Sequence, residues 1–559
     1  VYAPRTAWRD RARWAVSRLV AWLEGLPPFW VAFALTLPAG SGLLALPMAI
    51  AEVGPPVGIL LLLLFGLVNA LTAAALAESV ARSGTTRFGL GYLGQLVSEY
   101  LGDAGSVVLT VVMAANSFLV LIIFYLGFAD TFAGATHLPV ALWIGFLFLV
   151  GLYFLSRRSL NSTVASTLVV AALNVALLVI IPFFALPHVQ PANLAYFRLP
   201  FVGGEPFDPA SLRLILGVML SNYFSHLLVA NYGRVILRRD PTARSWIWGV
   251  VAAIALTALI SCLWVVLVNG ALSPQDLATH TGTALTALAK QVGPVVNWLG
   301  SACVALSLGM ASIHISLGLL FLMEERLPPP SQHRLGTRGR FLLSISPVVV
   351  AFLAAEWLSI TGQGSFAGLL GFVDAFSLPL VGGVFPVLLL VATRRKGDLV
   401  PGLVLRPLGN RIVLGLTYLL FLGGVVIYGL FIFEGIVERN VIVLVGVLVL
   451  AVTVVVLRRG ALAGRLVVEL RRDQTLGGAS VISLTANGQP ATAHVCLVDA
   501  NGQPHARTVS GQVPIPDALR SAFAAGATAP VRSSYPVTPA GDRLLLMPAW
   551  DGDGGLGVK

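Results

Sequence analysis

Residues 35–47 read Leu35-Thr36-Leu37-Pro38-Ala39-Gly40-Ser41-Gly42-Leu43-Leu44-Ala45-Leu46-Pro47 within a longer apolar run. Glycine and proline disfavour a helix interior by about 1 and 3 kcal/mol each relative to alanine, so this crowding predicts a discontinuity. A helix restarting near Gly42 would aim free N–H groups and the positive end of its dipole into the gap, which suits a carboxylate. Carbonyls on the other side suit an ammonium or a metal cation, and an amino acid could satisfy both sets. The bland alternative is that glycine and proline here only allow close packing or a kink. Local composition leaves the two open.

Three titratable side chains also fall inside apolar runs: His226, His314 and Asp374. Such groups are costly at membrane depth and usually face an interior cavity. His226 follows the polar interruption Ser221-Asn222-Tyr223-Phe224-Ser225; it could bind a ligand, relay a proton or be a hydrogen-bonded structural histidine. His314 reads as structural. Asp374, buried without a cation, could hold a proton.

The elements that must position these groups follow from composition. Of 559 residues, 57% are hydrophobic and 11% charged, with a mean hydropathy of +0.87, where a soluble domain carries about a quarter charged residues. A single soluble domain is therefore excluded. Uncharged runs such as Val107–Phe128 and Val164–Leu186 exceed the roughly 20 residues a helix needs to cross the hydrocarbon core. About twelve spans are expected, near 28–51, 55–81, 104–128, 138–156, 162–187, 211–236, 245–270, 291–323, 341–358, 364–393, 411–433 and 440–457.

The net charge is +11, but 28 of 36 Lys/Arg precede residue 460 and lie around the spans, so a nucleic-acid partner is not expected. With a cytoplasmic amino terminus, loops on that side and their flanks hold 24 Lys/Arg and the opposite ones four: Arg198, Arg213, Lys290 and Arg439. Positive-inside bias then places both termini in the cytoplasm. The expected location is a cell membrane, of prokaryotic type. Ala7–Leu26 interleaves arginine with tryptophan and leucine, as an interfacial helix would. Cys262, Cys303 and Cys496 show no CxxC spacing, which indicates neither a disulfide framework nor a zinc site. No Walker-type sequence and no HExxH occurs, so an enzyme is not expected.

Four regions are expected: a basic cytoplasmic segment 1–26, a ten-helix core 27–393, two further spans 394–459, and a β-rich cytoplasmic domain 460–559 with a flexible end. In the last, Leu466–Leu470, Ser480–Thr485 and Thr492–Val498 read as strands, and Ala486-Asn487-Gly488 and Ala500-Asn501-Gly502 as turns. It could dock a protein partner.

Gly40-Ser41-Gly42-Leu43-Leu44-Ala45-Leu46-Pro47-Met48-Ala49, followed by Gly54 and Gly58, resembles the first-span pattern of the amino acid/auxin permease family and the related aromatic amino acid permeases, within the amino acid–polyamine–organocation superfamily. Leu76-Ala77-Glu78-Ser79 and Phe366–Pro386 are similar to that family's second-span ending and tenth span. The resemblance covers about ten spans. It implies a leucine-transporter-type fold of five helices repeated with inverted topology, a substrate site between broken first and sixth helices, and amino-acid transport. The sixth span departs from the family in lacking the glycine-plus-proline chemistry often found there.

Carried over to this chain, the resemblance makes the amides of Gly40, Ser41 and Gly42 a carboxylate cradle. The carbonyls of Thr36, Leu37, Ala39, Asn222 and Tyr223 become ammonium acceptors, and Asn116, Phe224, His226, Ser307 and Met310 shape the pocket. The coupling ion is open. Asp374, where the family more often has a small residue, and His226 are the proton candidates; Thr36, Ala39, Ser307 and Ser312 could form part of a sodium site. No adjacent Ser/Thr pair in span eight weakens the sodium case, and span five holds no lysine to substitute for the ion. No cofactor or resident metal is expected. A transporter-derived sensor or structural subunit is the rival reading; a channel is weaker, because no charged ring or filter-like loop is evident.

Overall fold

A computed structural model of the chain describes residues 25–38, 41–83, 93–157, 163–198, 209–280, 282–326, 337–362, 365–397 and 399–456, and separate strand segments between 465 and 558. The basic stretch Ala7–Leu26 falls almost wholly outside the described residues.

The first apolar stretch is two helices, α1 (Pro28–Leu35) and α2 (Ser41–Val53). Gly54 turns the chain at φ 89°, a left-handed conformation where a side chain would also run into the carbonyl of Tyr196. There α3 (Pro55–Arg82) begins. Next come an amphipathic helix α4 (Leu93–Leu101), α5 (Asp103–Thr136), α6 (Val140–Arg157) and α7 (Thr163–Phe183). The sixth stretch is again divided, into α8 (Ile215–Tyr223) and α9 (His226–Leu237). After α10 (Arg244–Ala271), a connection containing α11 (Ala284–Val292) leads to α12 (Pro294–Val304), which passes through a π turn, Ala305–Gly309, into α13 (Met310–Arg326). The remaining helices are α14 (Thr337–Thr361), α15 (Phe366–Pro379), α16 (Phe385–Lys396), α17 (Arg411–Ile427) and α18 (Ile436–Val456). A π turn, Leu380–Val384, joins α15 to α16, and a third, Tyr428–Ile432, ends α17.

Among the described residues nine helices are long and apolar enough to cross a membrane, counting those joined by π turns as one. The chain is a multi-pass helical membrane protein. α3 shows how such a helix divides its surface: Leu60, Leu63, Leu64 and Leu67 are exposed as lipid-facing residues would be, whereas Ala73–Ala81 is buried without interruption. The span expected at 104–128 runs on to Thr136 as α5. Within the extension the carboxylate of Asp130 lies against Gly282 in the facing connection, and the helix stops only where His137 adopts φ 60°.

Beyond α18 the described segments are strands: β1 (Arg465–Asp473), β2 (Ala479–Ala486), β3 (Gln489–Pro490), β4 (Thr492–Val498), β5 (Pro504–Ser510), β6 (Gln512–Pro514), β7 (Val531–Pro536) and β8 (Leu544–Leu546), followed by a hairpin of Pro548–Trp550 and Leu556–Val558. β1 lies between β2 and β7 in antiparallel register, with Val468 opposite Leu484 on one side and Ser533 on the other. β4 pairs antiparallel with β5 and parallel with β8. Both turn signals, at Asn487-Gly488 and Asn501-Gly502, lie outside the described residues.

Candidate functional site

The first helix break begins where Thr36 caps α1. Its N–H and its hydroxyl both bond back to the carbonyl of Ala32, the hydroxyl at 2.8 Å. Leu37 and Pro38 continue without helical structure; Ala39 and Gly40 lie outside the described residues; α2 restarts at Ser41. The far end of α2 is pinned. Tyr196 donates its hydroxyl to the Ala51 carbonyl at 2.9 Å, Arg198 N–H bonds the Val53 carbonyl at 2.9 Å, and Asn269 of α10 donates to the Pro47 carbonyl at 3.0 Å. The amides of Ser41 and Gly42, in the opening turn of this anchored half-helix, belong to the group that has no intrahelical partner.

The second break is formed without the glycine and proline usually associated with it. The N–H of Phe224 closes a tight turn on the Ser221 carbonyl at 3.3 Å, and α9 begins at His226 after Ser225. Tertiary bonds hold the residues before it. The Asn222 amide donates to Ser261 of α10 at 2.8 Å, and the Tyr223 hydroxyl donates to the Leu62 carbonyl of α3 at 2.9 Å. With the helix interrupted, the carbonyls of Asn222 and Tyr223 have no hydrogen-bond donor among the described residues.

The two breaks meet. A Cβ added at Gly42 would land on the backbone nitrogen of Asn222, and its next neighbour would be the Asn222 Cα at 2.5 Å. The opening turn of α2 is thus in backbone contact with the last turn of α8, which brings the two interrupted helix ends together. Opposed partial charges of this kind fit a small zwitterion or a hydrogen-bonding polar group.

Side chains from other helices close around α8 and α9. Asp374 of α15 is 2% exposed, with the Ser221 hydroxyl as its hydrogen-bonding neighbour. Behind it the backbones of α8 and α15 touch, since a Cβ at Gly217 would collide with the Gly371 carbonyl. His226 is fully buried, its Nε2 3.0 Å from the Thr72 hydroxyl of α3 and its ring stacked on Phe224 at 5.7 Å between centroids. The π turn Leu380–Val384 presents Gly382 to that ring. Two prolines shape this turn: Pro379 and Pro386 supply no N–H, so an α-helical ladder cannot run unbroken through it. Wide turns of this type are frequent at functional sites.

The other expected residues are more scattered. Ser307 and Ser312 are buried on or beside the π turn of the eighth span, but each hydroxyl donates to its own helix, to Cys303 at 2.8 Å and Gly309 at 2.7 Å. No described hydrogen bond joins either to Thr36. Met310 and His314 are half-buried on α13, and Asn116 is half-buried on α5. This π turn meets α5 at Gly127 and Phe128, roughly 16 Å along the helix from Asn116 at 1.5 Å per residue. Thr72, Ser221, Ser261 and Gly382 were not anticipated. The Pro379–Pro386 spacing around Gly382-Gly383 was the one available signal; the hydroxyls carried none.

No protein-family model matches the chain, and no curated protein matches it in sequence. Among solved structures it is similar to the manganese transporter of Eremococcus coleocola bound to an aromatic bis-isothiourea substituted compound, at 14% identity over 77% of this chain and 94% of that chain, with a TM-score of 0.48. Two single-residue mutants of the same transporter give 14% identity over 82% of this chain and 97% of theirs, with TM-scores of 0.49.

Proposed function

We propose that the protein is a secondary active transporter of α-amino acids that works by alternating access, with the proton as coupling ion. The observation that carries this reading is the meeting of two helix breaks at Gly42 and Asn222, which brings the free amides of one helix start close to the free carbonyls of another helix end. A carboxylate docks on the first set and an ammonium on the second. Breaks in the first and sixth apolar stretches, five apart, support an inverted repeat of five helices inside a twelve-span chain with both termini in the cytoplasm. The strands beyond α18 then form a small cytoplasmic domain suited to a protein partner.

Asp374 is the proposed proton site, because it is buried against Ser221 on the very half-helix that ends at the break. Sodium is the rival coupling ion, with Thr36, Ser307 and Ser312 as its oxygen donors; the lack of an adjacent Ser/Thr pair in the eighth span weakens it. For a divalent metal cargo, the described residues contain no group of three His, Cys, Asp or Glu able to hold the ion.

Uptake of labelled amino acids into proteoliposomes, with a proton gradient, a sodium gradient or neither, tests the proposal. Accumulation driven by the proton gradient is expected, and Asp374→Asn should abolish its pH dependence. Unchanged pH dependence in that variant removes Asp374 from the mechanism; no uptake by folded protein favours a sensor or structural subunit.

A further inference from the structure

The break between α8 and α9 contains two adjacent polar atoms that the protein leaves unpaired. Ser225 is 1% exposed and His226 0%, yet among the described residues neither Ser225 Oγ nor His226 Nδ1 has a hydrogen-bond partner. Buried polar atoms are nearly always partnered, so a pair of exceptions where the backbone unwinds points to a ligand that completes them.

The surrounding bonds fix what that ligand must offer. The hydroxyl of Thr72 has one proton, directed back to the Asn69 carbonyl at 3.2 Å. With that proton on the carbonyl, the same oxygen accepts from His226 Nε2 at 3.0 Å, and in this tautomer Nδ1 presents a bare lone pair. Gly382 packs beside that nitrogen: a Cβ there would stand 3.4 Å from it, so glycine leaves only about a methyl group's room on that flank. Ser225 occupies the cap position of α9 without making the cap bond, so its hydroxyl is free to donate.

We infer that the break recognises an uncharged cargo side chain bearing a hydroxyl or carboxamide, whose proton is accepted by His226 Nδ1 and whose oxygen is met by the Ser225 hydroxyl. This rests on the amino-acid reading above and adds the class of amino acid. A second ammonium on the cargo would face the positive end of the α9 dipole, and a carboxylate would bring acceptors against the Nδ1 lone pair. An aliphatic side chain would leave both polar atoms buried and unsatisfied.

The full chain in proteoliposomes, given labelled threonine, valine, asparagine and leucine, provides the test. Threonine and valine are near-isosteric, so their KM ratio isolates the hydroxyl; threonine should have a KM lower by at least about tenfold, because losing the hydroxyl leaves buried polar groups unpaired. His226→Gln places an amide near the Nε2 position and keeps the Thr72 contact, but removes the acceptor, and should bring the two KM values within about twofold. His226→Asn puts an amide oxygen near Nδ1 and should retain most of the preference. If His226→Gln does not fold, Ser225→Ala decides in its place, with a smaller loss of preference expected. Equal KM values in the unmodified protein, or a preference that survives His226→Gln, overturn the inference while leaving amino-acid transport standing. No uptake of any of the four overturns both.

Discussion

Replacing Gly42 by alanine would put a methyl group on the backbone nitrogen of Asn222, and neither partner can yield as a flexible side chain would. Overpacking of this kind costs about 1–3 kcal/mol. Gly42→Ala should therefore lower the melting temperature of the purified protein and suppress uptake, whereas Gly415→Ala, which meets nothing within 4 Å, should leave both unchanged. Gly42 was legible because the Gly40-Ser41-Gly42 pattern is local and its chemistry follows from backbone alone. His226 was legible only as an anomaly. Its partner Thr72 is 154 residues away and its neighbour Gly382 lies still further along the chain, so its surroundings come from packing alone.

Among the helices, the first break could be read from its glycine and proline content, the second only as a polar interruption. Proline and glycine weaken α1–α2 from within; α8–α9 is interrupted by bonds that Asn222 and Tyr223 make to α10 and α3. Glu78, near the end of α3, makes a similar long-range connection. It is 1% exposed and accepts from Arg82 at 2.9 Å and, through both oxygens, from Arg394 of α16 at 2.8 Å. Arg394 also donates to the Leu408 carbonyl. Removing one partner of a buried ion pair typically costs about 3–5 kcal/mol, because the remaining charge stays buried. Glu78→Gln should accordingly produce a large loss of thermal stability in detergent, measurable by differential scanning fluorimetry. A loss under about 1 kcal/mol, the range of exposed pairs, would show that Arg82 and Arg394 find other partners. The short sequence around Glu78 suggested a helix ending; the carboxylate's role as a clamp between two distant helices needed the fold.

Across the whole molecule, the end of the bundle opposite that clamp is closed by the connection between α10 and α12. His280 Nε2 there lies 3.0 Å from the Thr283 carbonyl, and Thr131 of α5 pairs with Thr283 at 3.2 Å. Burial holds His280 below its ordinary pKa; Asp130 and the Thr283 carbonyl pull the other way, and Lys290 reinforces the burial. A base with a depressed pKa in the packed state favours the unpacked one once protons bind. The seat of this turn should thus weaken as pH falls below about 6.5 and be insensitive to pH well above it. Hydrogen-exchange protection of residues 282–290, corrected for intrinsic rates, should drop between pH 7.5 and 5.5, and His280→Gln should flatten that change. Hydropathy could announce a polytopic chain, since span length and apolar content are additive along the sequence. It could not reveal which connection folds back over the helix ends, because that depends on contacts such as Asp130 against Gly282.

The third π turn gives the last two helices a mechanical role. Tyr428, which opens it, accepts from the Leu216 N–H at 3.0 Å and donates to the Leu212 carbonyl at 2.8 Å. It supplies from another helix the cap that α8 lacks in its own sequence. The tyrosine behaves as a detent on a lever: α8 cannot swing without breaking both bonds, each worth about 0.5–1.5 kcal/mol. Tyr428→Phe would release the catch while leaving the ring in place, so cargo exchange should become faster and the resting position of α8 less sharply defined, as distances from spin labels on α8 and α17 would record. Helices outside the proposed repeat would in that way set the stroke of the machine they flank.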